Sequence, residues 1–324
     1  MLSRAVTFAR PILLSLPLLA LGGSAASRAA DGPFERQAWR ERVDLATDLP
    51  YAATAHPRQR LDLYLPKAPA ATTRPVVVYL HSGGWISGDK EEGARFLGPL
   101  VAEGRFAGVS AGYRLTDEAR WPAQLHDVQA AVRWVRANAE RYGFDRERIA
   151  VRGWSAGGHL ALMLGLTGDV PELDGRLGPH ASESRRVSAV VNHAGITDLL
   201  AMEEAPANSG RRGPRSFEAQ LLGAMPRHAI DRAGEASPVT HVSRGDAPVL
   251  TLHGTADRTV PYDQAVRLHR ALHAARIPNA LNTTLRGGHV GLPARAENRV
   301  AEFLGRVLLP PAGSSRQDPK GMRR

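Results

Sequence analysis

The stretch Ile149–His159 constrains the fold of this 324-residue chain more than any other. A short β-branched run, Ile149-Ala150-Val151, leads into Gly153-Trp154-Ser155-Ala156-Gly157. A helix-compatible run, His159 to Leu164, follows it. Strand, tight turn and helix around a G-x-S-x-G sequence is the arrangement that lifts a serine hydroxyl to the carboxyl end of a strand. The turn forces Ser155 into a strained backbone, and glycines two residues to either side remove the Cβ atoms that would clash there. The helix that follows aims its first amides at the same spot. Taken alone the five residues are a weak signal, and their partners elsewhere in the chain decide the reading.

Other short apolar runs recur along the chain at 76–80, 106–110, 149–151, 188–191, 248–252 and 281–285. Helical patterns separate them. In the clearest, Leu125, Val128, Val132, Val135, Ala139 and Tyr142 repeat at three- and four-residue spacing between Pro122 and Gly143, with proline near the start and glycine at the stop. Alternating strands and helices predict an α/β fold: a doubly wound, mainly parallel sheet flanked by helices. Arg60 to Pro66 alternates apolar and polar residues, which predicts a half-exposed edge strand. The residues before Tyr51 read as a polar lead-in. No internal repeat and no second domain are visible.

Sites in such sheets gather outside the carboxyl ends of the strands, and three further segments sit there. His81-Ser82-Gly83-Gly84-Trp85 follows the strand at 76–80, and its glycine pair lets backbone amides approach a ligand. His253-Gly254-Thr255-Ala256-Asp257 follows the strand at 248–252 and brings a carboxylate. Gly287-Gly288-His289 follows the strand at 281–285 and brings an imidazole. The order Ser155, Asp257, His289 is the one expected of a serine nucleophile, its acid and its base on this architecture. A serine hydroxyl needs a neutral imidazole to take its proton, and the imidazole needs a carboxylate to orient it. Asp198 is the rival acid, disfavoured by the long path from it to His289. His81 and His253 are expected to brace their loops, and His126, His193 and His241 to be structural or exposed. No HxH or HExxH spacing suggests a metal site, and no cofactor is expected.

With these segments assembled, the chain resembles the α/β-hydrolase superfamily from about Leu61 to Leu308. It is most similar to esterases with an HGGGW-type loop: feruloyl and acetyl-xylan esterase-like proteins and hormone-sensitive-lipase-like carboxylesterases. The resemblance rests on His81–Lys90, Tyr113-Arg114-Leu115, Phe144–His159, Ala236–Val242, His253–Pro261 and His289. It implies Ser155 as nucleophile, Asp257 as acid, His289 as base, and the Gly83, Gly84 and Ala156 amides as an oxyanion hole. Ser82 stands where the family usually has glycine. The same loop also resembles that of arylformamidases, which leaves an amide hydrolase as the alternative activity. A non-catalytic binding protein on the same fold is the alternative from another class, though such proteins typically lose a triad member and all three candidates are present.

Composition bears on partners and location. Of the net charge of +10, three positive charges lie within the first 29 residues and three within 311–324, which leaves +4 for the body. The basic residues are arginines apart from Lys67, Lys90 and Lys320. That uniformity points to a compositional bias and away from a nucleic-acid surface. There is no cysteine, hence neither a disulfide nor a thiolate metal site. Residues 1–29, with Arg4 and Arg10 before the apolar Pro11 to Leu21, read as a bacterial export signal with no stable membrane insertion once cleaved. The expected organisation is therefore a leader at 1–29, one hydrolase domain at 30–310 with a small cap between the strands at 188–191 and 248–252, and a disordered basic tail at 311–324. The protein is expected in the periplasm or secreted, acting on a small-molecule ester.

Overall fold

A computed structural model of the chain describes residues 35–70, 72–204, 213–290 and 293–309. Two units divide the chain, Met1–Gln37 and Ala38–Arg324. The expected leader and tail lie outside the described residues, and the fold is that of the second unit. Its strands are β1 (Val43–Pro50), β2 (Arg60–Pro66), β3 (Arg74–Leu80), β4 (Ala107–Ala111), β5 (Phe144–Trp154), β6 (Ala189–His193), β7 (Val249–Gly254) and β8 (Asn279–Thr284). The helices are α1 (Ala94–Ala102), α2 (Ala123–Ala137), α3 (Ala139–Tyr142), α4 (Ala156–Leu166), α5 (Leu199–Glu204), α6 (Phe217–Leu222), α7 (Ile230–Glu235), α8 (Asp263–Ala274) and α9 (Ala294–Leu308).

The strands form one sheet in the order β1-β2-β4-β3-β5-β6-β7-β8. β1 and β2 pair antiparallel, as do β2 and β4; every other pairing is parallel. The continuous apolar runs become strands buried on both faces. Val76, Val78 and Leu80 of β3 face the core under α2, α4 and α8, while Val77 and Tyr79 face the core under α1 and α9. This alternation is the period of a strand with both faces covered. All of α4 is buried, so it is apolar all round. By contrast α9 buries one stripe, Ala296, Val300, Phe303, Leu304 and Leu308.

Two expectations need correction. Arg60–Pro66 is not an edge strand: β1 covers it on one side and β4 on the other. The edge is β1, drawn from residues that read as a polar lead-in because Asp44 to Asp48 are exposed and carry no apolar stripe. The helix predicted to run to Tyr142 breaks at Asn138, whose amide and side-chain Nδ2 both donate back to Trp134 O, at 3.0 and 2.9 Å. Gly143 stops the second piece with φ 68°, as expected.

Sheet register sets the stage for the site. Leu80 lies opposite Gly153, Trp154 opposite His193, and Gly254 opposite Thr284. The loops after β3, β5, β7 and β8 therefore emerge at one edge. The chain order reverses between β3 and β5, because β4 returns to the far side of β3. The crevice at such a reversal is where α/β sheets bind ligands.

Candidate active site

Ser155 sits between β5 and α4 with φ 55° and ψ −115°, a conformation rare outside glycine. The surrounding packing allows no side chain at its flanks. A Cβ on Gly153 would lie 2.1 Å from Gly157 O, and one on Gly157 would lie 2.1 Å from Leu80 O. The Ser155 amide donates to His193 O at 2.8 Å and its carbonyl accepts from His159 N at 3.0 Å, so the strained turn is held from both sides. Ala156 opens α4, and the first amides of a helix have no partner within it. None of the described backbone hydrogen bonds outside the regular elements uses that amide.

The loop after β3 reaches the same place. Gly83, Gly84 and Trp85 have φ of 108°, 62° and 60°. The Ile86 and Ser87 amides turn inward to Gly83 O, at 3.2 Å each, while those of Gly83 and Gly84 make no described backbone bond. A Cβ on Gly84 would come within 2.3 Å of the Phe217 ring. Ser82, the departure from the usual glycine, is held by Glu92. Its amide and hydroxyl both donate to Glu92 Oε2, at 3.1 and 2.8 Å, and Tyr79 donates to Glu92 Oε1 at 2.6 Å. The serine thus anchors the loop to the residues before α1.

Asp257 and His289 meet although 32 residues apart. His289 Nδ1 lies 2.7 Å from Asp257 Oδ2. Asp257 Oδ1 accepts from the Thr259 and Val260 amides at 2.8 and 2.9 Å. Burial raises the Asp257 carboxyl, but hydrogen bonding from His253 and His289 and the Val260 amide outweighs it and holds the group well below the ordinary carboxylate range. His253 does more than brace its loop. Its Nε2 lies 2.9 Å from Val260 O and 3.4 Å from Asp257 Oδ2, so one N–H serves the carbonyl and, at longer range, the carboxylate. The rival Asp198 is engaged elsewhere, accepting from the Ala201 amide at 3.0 Å and lying 3.7 Å from Arg267.

A cavity of about 300 Å³ joins these parts, lined by Ser82, Gly83, Gly84, Ser155 and His289 together with Trp85, Trp154, Ile196, Met202, Phe217 and Glu218. Ser155 and His289 face it without a hydrogen bond between them; in unliganded sites such contacts often tighten only when substrate arrives. Met202, Phe217 and Glu218 belong to α5 and α6, so the expected cap does reach the cavity. Leu221 and Leu222 are fully buried and offer no exposed apolar face. His81 donates from Nδ1 to Ser82 O, 2.8 Å away, and stacks on Tyr113; burial lowers its pKa to about 4. His159 is also held near 4 by burial, with Nε2 2.7 Å from Ala236 O. Among the described residues no group of three or more His, Asp or Glu is placed to hold a metal ion.

Three contributions could not be read from the sequence, although Trp154 itself stood out there as a residue able to narrow the acyl pocket. Trp154 donates from Nε1 to His289 O at 3.2 Å and stacks on buried His193, ring centroids 5.1 Å apart. Arg152, almost wholly buried, forks onto Glu297 at 2.8 and 2.7 Å, which joins β5 to the helix after His289. Glu218 places a buried acid in the cavity wall. Each is a contact between distant segments, invisible to spacing.

Comparison with known proteins agrees with this architecture. Residues 61–272 match the family model BD-FAE, a span that includes Ser155 and Asp257 and ends before His289. Esterase LipC of Mycobacterium tuberculosis is 35% identical over 214 residues, covering 64% of this chain; the chain spans about half of LipC, 51%. Two solved structures are similar: a truncated carbohydrate esterase from gut microbiota, with TM-score 0.77, 29% identity and coverage of 83% of this chain and 98% of that one, and a bifunctional GH43-CE protein of Bacteroides eggerthii, with TM-score 0.76, 32% identity and coverage of 81% and 38%. With a family match over most of its length and the sheet, elbow and loop order just described, this chain belongs to the BD-FAE family of α/β-hydrolases.

Proposed function

We propose that the chain is a serine carboxylic ester hydrolase working through an acyl-enzyme on small soluble esters with short acyl groups, acetate to butyrate. The observation that carries the reading is convergence: a strained serine, an imidazole on a buried carboxylate and the Gly83-Gly84 turn border one cavity, and Ala156 opens the helix that follows the serine. Asp257 accepts at His289 Nδ1, which leaves Nε2 free to take a proton. As Ser155 Oγ adds to the ester carbonyl, its proton passes to Nε2. The Gly83, Gly84 and Ala156 amides receive the oxyanion. Collapse breaks the C–O bond to the alcohol, which leaves with the proton from Nε2, and the acyl group stays on Ser155. Water attacks the acyl-enzyme with the same imidazole as base, releasing the acid and restoring the hydroxyl.

The cavity of about 300 Å³ supports short acyl groups, at the small end of ligand sites. The names of LipC, an esterase, and of the gut carbohydrate esterase support ester chemistry. Residues 1–29 support export by their sequence, and no described helix is long and apolar enough to cross a membrane. The test is a panel of p-nitrophenyl acetate, butyrate and palmitate with N-formylkynurenine, compared by kcat/KM. The expected order is acetate and butyrate well above the rest. Turnover of N-formylkynurenine alone would instead mean an arylformamidase.

A further inference from the structure

The proposed reaction leaves one acid of the cavity unused. Glu218 is the second residue of α6, is only 6% exposed, and lines the cavity with Phe217, whose ring closes on Gly84, and with Met202. The helix does not need it as a cap, since Ser216 already accepts from the Ala219 amide at 3.1 Å. Much of the wall around it is apolar: Trp85, Ile86, Ile196, Met202, Phe217 and Val260. Among the described residues no cation is paired with it. Glu203 adds repulsion and is itself bound to Arg227 at 2.6 Å. Burial raises the Glu218 carboxyl above the ordinary carboxylate range, against the pull of its own amide and the Ser216 hydroxyl. An apolar side chain would fill that position at lower cost, because burying an acid without a full set of partners is unfavourable. A ligand group that answers the acid removes the penalty.

We propose that Glu218 is the specificity-determining residue of this cavity, its carboxyl pairing with a free hydroxyl on the alcohol half of the ester. The proposal rests on the ester-hydrolase reading and names the residue that selects the alcohol. A hydroxyl donates to an ionised carboxylate and both gives and takes with a protonated one, so it fits a buried acid in either state. A cationic alcohol would require the ionised form and would have to shed its own water as well.

Glycerol 1-monoacetate and propyl acetate, which differ by two hydroxyls, make the test. With the full chain, kcat/KM should favour the monoacetate roughly tenfold, the discrimination that one buried polar contact supplies. In Glu218→Leu that ratio should fall to near one, chiefly through a higher KM for the monoacetate. Glu218→Gln keeps an accepting oxygen and the shape but no charge, and should lower the ratio about threefold; it carries the test should the leucine variant fail to fold. A wild-type enzyme that hydrolyses both esters with a ratio unmoved by either substitution overturns the proposal alone. A choline ester preferred over both, with the preference lost in Glu218→Leu, also overturns it in favour of a cation subsite. If the wild type hydrolyses neither ester, the ester-hydrolase reading falls and this proposal with it.

Discussion

Gly84 shows how little room the site leaves its residues. Its φ of 62° and the Phe217 ring within 2.3 Å of a would-be Cβ both exclude a side chain. Gly84→Ala should move either the loop or the cap and lower kcat on the order of 10², the usual loss when an oxyanion donor is misplaced; steady-state kinetics on p-nitrophenyl acetate would read it. Ser82→Gly should behave differently. The Ser82 hydroxyl holds Glu92 and its amide points the same way, so the change should cost about 1 kcal/mol in urea unfolding and leave most of kcat. A larger loss of kcat from Ser82→Gly than from Gly84→Ala would show that the loop donors have been misassigned. Asp257 links the site to pH. Its folded pKa is depressed, so it contributes stability that is complete above the ordinary carboxylate value of about 4 and is lost as pH falls from there toward the lower folded value. Unfolding curves of wild type and Asp257→Asn should therefore lie a constant distance apart near neutrality and converge only in acid. Convergence on the alkaline side would contradict the sign. Ser155, Asp257 and His289 stood out because each follows a strand within three residues of a glycine. Glu218 did not, because a short capped helix gives no sign of which residue faces a cavity.

At the scale of elements, the strands that lead into the candidate site were legible because burial on both faces leaves an uninterrupted apolar run. β1 was missed for the opposite reason: an exposed edge strand is written mostly in polar residues. The contacts that fix the site between elements were likewise hidden. Arg152 on β5 and Glu297 on α9 bind across 145 residues. Glu297→Ala should leave a guanidinium buried without its partner and destabilise the fold by about 2 to 3 kcal/mol, less than a fully buried pair would lose because Glu297 is half exposed. The double change Arg152→Met with Glu297→Leu should recover most of that loss, since no charge is then stranded. Trp154→Phe keeps a ring on His193 but removes the hydrogen bond to His289 O. It should lower kcat about tenfold with little change in KM, as a loosened base would. A KM effect alone would mean that Trp154 shapes the pocket and does not position His289.

The second unit is one doubly wound sheet whose loops converge where its strand order reverses, with α5 and α6, from the stretch between β6 and β7, lining the cavity. That architecture followed from the alternation of strands and helices. The size of the cavity and the lining of its cap depend on side chains packed across distant segments, which no local pattern records. The central claim is that Ser155 is a nucleophile that carries the acyl group, and stoichiometric labelling tests it most directly. The full chain would be treated with diethyl p-nitrophenyl phosphate while ester hydrolysis is followed, then weighed intact and mapped by peptide mass. The account predicts one diethylphosphoryl group per chain, on Ser155, with activity lost in proportion to labelling and no adduct in Ser155→Ala. Full activity in a chain that takes up no label, or loss of activity with the adduct on another residue, would contradict it.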